Sequence, residues 1–418
     1  MPNSKDTKTF CILPWRHLFI SELGHAYPCC LAPESSDPIK NEREETLQVQ
    51  KLKNPADEVL NSSAMKKIRL QMIAGEKPKP CTRCFQLEDA GLISHRQGSN
   101  HSHQAQLDQE IARTKADGEI EVQLQSMDLR LGNTCNLRCR MCSPFSSKLL
   151  IKEFSELEPE KTLFYQSLKN IDWFQKPVLS QLMDSSKEMQ SLHFAGGEPL
   201  IIKEHLEALE ALIKNNRASQ IELSYNTNIT FLDDQVLSCW KHFKSVSLMI
   251  SLDGFRELNH YIRFSSNWAQ IEANIQNLKN HRDQIKLERC SVNVTVQAYN
   301  IFGLAPLLEF LIHEKDLFPR VNLSPLFYPQ ELSFQVLPKD LKQIAARRLR
   351  DFVQNLLASH SGDSGYFQSL SSSIESILKL LEEKDLSHLF PAFQKRTRLF
   401  DKSRNQRISE LIPEFKNF

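Results

Sequence analysis

Three cysteines, Cys135, Cys139 and Cys142, lie in the run LRLGNTCNLRCRMCSP with the spacing C-x3-C-x2-C. Three thiolates on one short loop can hold three irons of a cubane iron–sulfur cluster and leave the fourth iron open to another ligand. An open iron suits a catalytic cluster better than one that only stores electrons. The same residue types also build zinc sites, which take four ligands, and redox dithiols, which take two.

A second group of cysteines sits near the N-terminus. FCILPWRHLFISELGHAYPCC supplies Cys11, Cys29 and Cys30, and PKPCTRCFQLEDAG supplies Cys81 and Cys84. In a reducing compartment such clustering favours metal over disulfide. Four thiolates in two groups fit an iron–sulfur cluster or a structural zinc site. Adjacent side chains on an extended segment point opposite ways, so one of Cys29 and Cys30 ligates. Cys239 and Cys290 stand alone and read as small buried hydrophobes.

The elements that must position these residues follow from periodicity. Met127, Leu129 and Leu131 alternate and read as a strand ending at Gly132, directly before the triplet. Strands are expected at 126–132, 191–195, 221–226, 246–252, 291–297 and 321–326. Amphipathic helices lie between them, with faces such as Leu206, Leu209 and Ile213, or Leu304, Leu307, Leu308 and Leu311. Pro199 and Asp233 stand where helices should start. Six β-α units imply an α/β fold: a partial (β/α)6 TIM-like barrel. A small N-terminal cysteine-rich metal-cluster domain (9–92) and a polar linker with some helix (93–125) precede the barrel (126–330). A helical C-terminal segment (331–418) follows it. The stretch 143–190 exceeds one helix and carries Phe164, Tyr165, Trp173 and Phe174, which would either line a pocket or fill a core.

Active sites of such barrels gather at the C-terminal ends of the strands. Four consecutive strands here end in ligand-type residues. The first leads into the cysteines. The second ends in GGEP, with Gly196 and Gly197 allowing close backbone approach and Glu198 beginning the next helix. The third ends in SYNTN, with Asn226 and Asn228, and the fourth in SLDG, with Ser251 and Asp253. Amides, hydroxyls and a carboxylate at one rim suit the polar edges of a nucleoside.

In this order the motifs over 126–330 resemble the radical S-adenosylmethionine (SAM) superfamily. The resemblance implies that Cys135, Cys139 and Cys142 ligate a [4Fe-4S] cluster whose open iron is chelated by SAM. It implies that Gly196, Gly197 and Glu198 hold the methionine amino group. Ser251 and Asp253, with Asn226 or Asn228, would lie near the ribose or carboxylate, and Arg263 would be a carboxylate partner. Met141 stands where an aromatic residue is common and would pack on the adenine, with Val294 and Val296 nearby. A reductant such as flavodoxin or ferredoxin is implied as partner. The N-terminal module resembles the SPASM/twitch auxiliary-cluster domain, which implies an auxiliary [4Fe-4S] cluster on Cys11, Cys29, Cys81 and Cys84. The four residues between Gly24 and Cys29 favour Cys29 over Cys30. The late segment TRLFDKSRNQRISELIPEF resembles a tail of twitch-containing proteins; its local chemistry reads as a basic face with Leu399, Ile408 and Leu411 for packing.

Composition sets the outer bounds. The 418 residues carry 52 Lys and Arg against 51 Asp and Glu, a net charge of +1, which argues against a large phosphate-binding surface. No apolar run approaches the roughly 18 residues of a membrane span. With no apolar signal region at the N-terminus, a cytoplasmic location is expected. The expected function is a radical enzyme that abstracts hydrogen from a peptide, giving oxidation, epimerisation or cross-linking. The alternatives are a radical enzyme acting on a small molecule such as a sugar, nucleotide or cofactor precursor, and a non-catalytic zinc-binding interaction protein.

Overall fold

The computed structural model describes residues 8–89, 91–359 and 364–416. They form an α/β fold with a mostly parallel eight-stranded sheet and a helical C-terminus. The strands are β1 (His17–Ile20), β2 (Ala26–Tyr27), β3 (Ser126–Arg130), β5 (Ser191–Ala195), β6 (Glu222–Thr227), β7 (Ser245–Ser251), β9 (Leu287–Val296) and β10 (Arg320–Pro325). Two short strands, β4 (Arg138–Cys139) and β8 (Arg263–Phe264), form a separate antiparallel pair. The six strands expected from alternation are all present, within a few residues of their expected ends.

The chain divides into two compact units. The first comprises the described residues through Thr134, with Ile171–Tyr225 and Ser238–Val246. Its strands run in the order β6-β5-β3-β1-β2. The cysteine-bearing N-terminal segment therefore adds to the barrel sheet: β1 pairs parallel to β3, and β2 returns antiparallel to β1. Nothing in the sequence singled out HLFI as a strand of that sheet, because four residues carry too short a pattern.

The polar stretch 93–125 does more than connect. It forms the helices His95–Ser102 and Leu107–Arg113, whose polar groups pair with the N-terminal segment. Trp15 Nε1 donates to Thr114 Oγ1 at 2.8 Å, Arg96 Nη1 to the Phe10 carbonyl at 2.7 Å, and Asn100 Oδ1 accepts from Ile12 N at 2.9 Å. Glu110 is fully buried and pairs with Arg16 and Arg113. Composition hid this role: charged residues read as solvated unless their partners are known.

The second unit comprises residues 135–170, 226–237 and Ser247 onward, with strands in the order β10-β9-β7. Among the described residues three long helices follow the last strand, Lys339–Ser359, Ser364–Glu383 and Phe390–Arg404, and then the short helix Ile408–Leu411. Leu370, Ile374, Ile377, Leu378 and Leu381 are buried as their spacing predicts. Among the described residues no helix is long and apolar enough to cross a membrane.

The aromatic residues of 143–190 divide between the two uses. Trp173, Phe174 and Tyr165 are buried core residues, whereas Phe164 is exposed. Cys239 and Cys290 are free and buried.

Removing one partner of a buried ion pair leaves an uncompensated charge, at a cost of about 3–5 kcal/mol. Glu110→Ala is therefore expected to lower the urea midpoint of the chain by a corresponding amount. A midpoint unchanged from wild type would show that the helix Leu107–Arg113 does not hold the N-terminal segment.

Candidate functional site

The cysteine loop is pinned along its length. β4 pairs with β8, placing Cys139 opposite Arg263 and Arg138 opposite Phe264. Arg140 N continues the ladder by donating to the Ile262 carbonyl at 2.8 Å. Leu137 N donates to Cys135 Sγ at 3.4 Å, and Cys142 N to the Cys139 carbonyl at 3.2 Å. None of the three cysteines forms a disulfide; Cys139 is buried and the other two half-buried. The Cys142 thiol donates to the Cys139 sulfur, which holds Cys139 below the usual thiol range against the cost of burial, with Arg263 assisting. The same bond, added to burial, pushes Cys142 well up. A pinned loop with three thiols, one of them beside the Arg263 guanidinium, fits a three-thiolate cluster site.

Arg263 is engaged within the protein. Its Nη1 lies 3.8 Å from Cys139 Sγ, and its Nε makes a 2.7 Å ion pair with Asp253. Asp253 is fully buried, and its other oxygen accepts from Thr295 N at 2.7 Å. Burial pushes the Asp253 carboxyl up, and Arg263 pulls it back down. Asp253 Oδ2 stands in the ion pair without a hydrogen bond among the described residues. Asp253 and Arg263 link the end of β7 to Cys139. Val294 and Val296, expected beside the adenine, are fully buried, whereas Asn293 and Thr295 on the opposite face of β9 are half-buried.

Asn228 donates to Asn136 Oδ1 at 3.0 Å, and Asn136 donates to Thr230 Oγ1 at 2.8 Å. The Asn-Thr-Asn turn therefore holds a residue between the first two cysteines. Asn226, Ser251 and Met141 are half-buried and keep surface for a ligand.

The GGEP turn meets the stem of the loop by backbone contact. Gly197 N donates to the Gly132 carbonyl at 3.0 Å, and Glu198 N to the Thr134 carbonyl at 2.9 Å. A Cβ on Gly197 would lie 2.2 Å from the Thr134 oxygen. Gly196, at φ +121°, would place one 2.7 Å from Leu131 N. Only glycine allows this approach. Glu198 is buried, and its Oε1 accepts from Leu200 N at 3.2 Å, capping the turn Pro199–Ile201.

The largest feature missed in the sequence is the C-terminal segment. Arg140, between the second and third cysteines, is fully buried. Its Nε donates to the Tyr261 carbonyl at 2.8 Å, its Nη2 to Asp401 Oδ1 at 2.5 Å, and its guanidinium lies 3.6 Å from the Tyr261 ring centroid. Tyr261 donates to the same Asp401 oxygen at 2.9 Å. Arg396 Nη2 donates to the Arg140 carbonyl at 2.9 Å. Arg404 grips Glu153 with two 2.8 Å bonds. Arg396 and Arg404, read as a basic face, are buried, and Asp401 carries the clamp. Runs of mixed charge usually indicate solvent, which is why composition concealed them.

The N-terminal cysteines also come together within the first unit. Cys11 is raised well above the ordinary thiol value by burial, with further contributions from Cys81, Cys29 and Cys84. Burial pushes Cys29 up to about 11, with Cys84 adding, and Cys81 up to about 12, with Cys29 and Cys84 adding. Cys30, pushed up to about 12 by burial, is influenced next by Asp128 rather than by Cys81 or Cys84.

Replacing Asp401 by Ala removes the carboxylate partner of a buried guanidinium, a loss of about 3–5 kcal/mol. Asp401→Ala is expected to lower thermal stability and to reduce iron retained by a protein carrying only the central triplet, while Asp401→Asn retains more of both. Equal iron in wild type and Asp401→Ala would refute the clamp.

Two family models match this chain: the radical SAM superfamily over residues 129–296, and the SPASM iron–sulfur cluster-binding domain over residues 11–85. No curated protein sequence matches it. Among solved structures it is similar to native anSMEcpe with bound AdoMet and Cp18Cys peptide, at 18% identity and a TM-score of 0.35, over 56% of this chain and 61% of that one. It is also similar to Streptococcus suis SuiB bound to precursor peptide SuiA, at 12% identity and a TM-score of 0.36, over 85% and 75% of the two chains. The chain thus carries a radical SAM domain over residues 129–296, preceded by an N-terminal SPASM iron–sulfur cluster-binding domain over residues 11–85.

Proposed function

We propose that the chain generates a radical at Cys135, Cys139 and Cys142 and uses it to take hydrogen from a peptide substrate. The observation that carries the radical step is the pinned three-thiol loop, with Cys139 buried and hydrogen-bonded by Arg263. When bound, the cluster and SAM supply a 5′-deoxyadenosyl radical on accepting an electron from a reductant such as flavodoxin or ferredoxin. The protein's part is positional. Arg263 and Asp253 hold Cys139, Asn228 holds Asn136, and the GGEP turn holds the stem at Thr134. In keeping with the family pattern, the GGEP turn would bind the methionine amino group. Asn226, Ser251 and Met141 would contribute to binding the nucleoside.

Cys11, Cys29, Cys81 and Cys84 would hold one auxiliary [4Fe-4S] cluster. Four thiols brought together from two segments suit such a cluster.

A peptide is favoured by the surface that grows out of the cysteine loop. Phe145, three residues after Cys142, packs on the exposed Phe164 at 5.8 Å between ring centroids. Leu163 beside it is 87% exposed, and so is Tyr328, whose hydroxyl acts electrostatically on Lys161. Exposed large apolar side chains grouped in this way suit a partner with apolar side chains of its own.

Anaerobic reconstitution followed by reduction with SAM tests the reading. Wild type should release 5′-deoxyadenosine, and Cys139→Ala should release none. Wild type that takes up iron yet makes no 5′-deoxyadenosine would contradict it. Cys84→Ala should retain about half of the iron if two similar clusters are present, and full iron would contradict the auxiliary assignment.

A further inference from the structure

The sheet of the first unit has two unlike faces. One carries Met127, Leu129, Leu192 and Phe194, all buried. The other carries His17 on β1, Ser126, Asp128 and Arg130 on β3, His193 on β5 and Ser224 on β6, and most of these are half-buried. Polar groups on a covered sheet face are costly unless paired, and here the pairing is incomplete.

The register sets the row. Asp128 stands opposite His193, His17 opposite Ser126, and His193 opposite Ser224. Each imidazole is held by a serine on the neighbouring strand: His17 Nδ1 lies 2.8 Å from Ser126 Oγ, and His193 Nδ1 lies 2.9 Å from Ser224 Oγ. This fixes both rings and leaves each Nε2 for another group. His17 Nε2 is buried with no hydrogen-bond partner among the described residues. Asp128 is only 6% exposed. Its Oδ2 accepts from Arg130 at 3.0 Å, and its Oδ1 is buried with no partner among the described residues.

The electrostatics select what such a row accepts. Burial pushes His17 down to about 4 and also lowers His193, against the pull of Asp128, so both rings are neutral near pH 7. Glu22 is close enough to be acted on by both Arg130 and Asp128. His95, Cys29 and Cys30 also face Asp128, and burial lowers His95. Burial raises the Glu22 carboxyl; it and Asp128 present two carboxyl groups to the one guanidinium of Arg130. A metal ion does not fit, because no three of these groups are gathered closely enough to hold one.

We propose that the inner face of β1, β3 and β5 is a subsite for a primary ammonium group of the substrate, with Asp128 Oδ1 and the His17 ring nitrogen as its acceptors. The word substrate rests on the radical-enzyme reading; the chemistry of the subsite does not. An ammonium brings both the N–H donors that the buried acceptors lack and a positive charge beside the two carboxyl groups. A carboxylate would face Asp128 without a donor, and a hydroxyl would bring no charge.

The test uses the full chain with both cysteine groups reconstituted, and n-butylamine, n-butanol and n-butyrate as probes near pH 7 in ligand-observed saturation-transfer titrations. The amine should bind, the carboxylate should not, and the alcohol should bind at least about tenfold more weakly than the amine. Asp128→Asn should weaken amine binding by about tenfold or more, the loss of one charge-assisted hydrogen bond. His17→Phe, read in parallel, keeps the test decisive if Asp128→Asn does not fold, and should also weaken the amine. No amine binding, alcohol binding as tight as amine, or amine affinity unchanged in the folded variants would overturn the subsite. The 5′-deoxyadenosine yield of the same wild-type preparation is measured separately. Cleavage without amine binding sinks the subsite alone; amine binding without cleavage sinks the radical reading and leaves the ammonium site standing.

Discussion

A fully buried guanidinium in the middle of the cysteine loop is the constraint on which the rest of the candidate site depends. Arg140 lies between Cys139 and Cys142 and has no access to water. Burying such a charge unpaired would cost several kcal/mol. The protein meets that cost with the Tyr261 carbonyl, the Tyr261 ring and Asp401, and Asp401 is brought there by the helix Phe390–Arg404. The C-terminal segment is therefore as much a part of the cysteine loop's structure as the strands that flank it. Arg396 on the Arg140 carbonyl and Arg404 on Glu153 extend the same logic, each buried charge being balanced by a partner distant in sequence.

The stem of the loop is fixed by different physics. There the backbone of Gly197 and Glu198 bonds directly to the carbonyls of Gly132 and Thr134, at a separation no side chain would permit. Charge pairing secures the loop where the cysteines lie, and absence of side chains secures it where it leaves the strand. Both devices remove conformational freedom from the ligands before any metal binds, so less ordering entropy is lost on cluster assembly.

The sequence revealed the strands, the order of the rim motifs and the two cysteine groups, because these depend on local periodicity and spacing. Met127 and Leu129 alternate with Asp128 and Arg130 whatever lies elsewhere. The roles of Asp253 and Arg263 were only half legible. Their motif marks them, but that they bind each other and Cys139 depends on a pairing between β4 and β8 of two residues each. Asp401, Arg396 and Glu110 were not legible at all. A charged residue reads as solvated until its partner is known, and these partners lie up to 261 positions away. The polar row of His17, Asp128 and His193 was hidden for the same reason, since its members come from three separate strands.

The central claim is that the loop carrying Cys135, Cys139 and Cys142 holds a cluster with one open iron. The most direct measurement is electron paramagnetic resonance of the reduced, reconstituted protein before and after addition of SAM. The account predicts that the signal of one cluster shifts on addition, that this signal is missing from a variant lacking the central triplet, and that the signal remaining in that variant does not respond. A spectrum unchanged by SAM in the wild-type protein, with iron bound at the triplet, would contradict it.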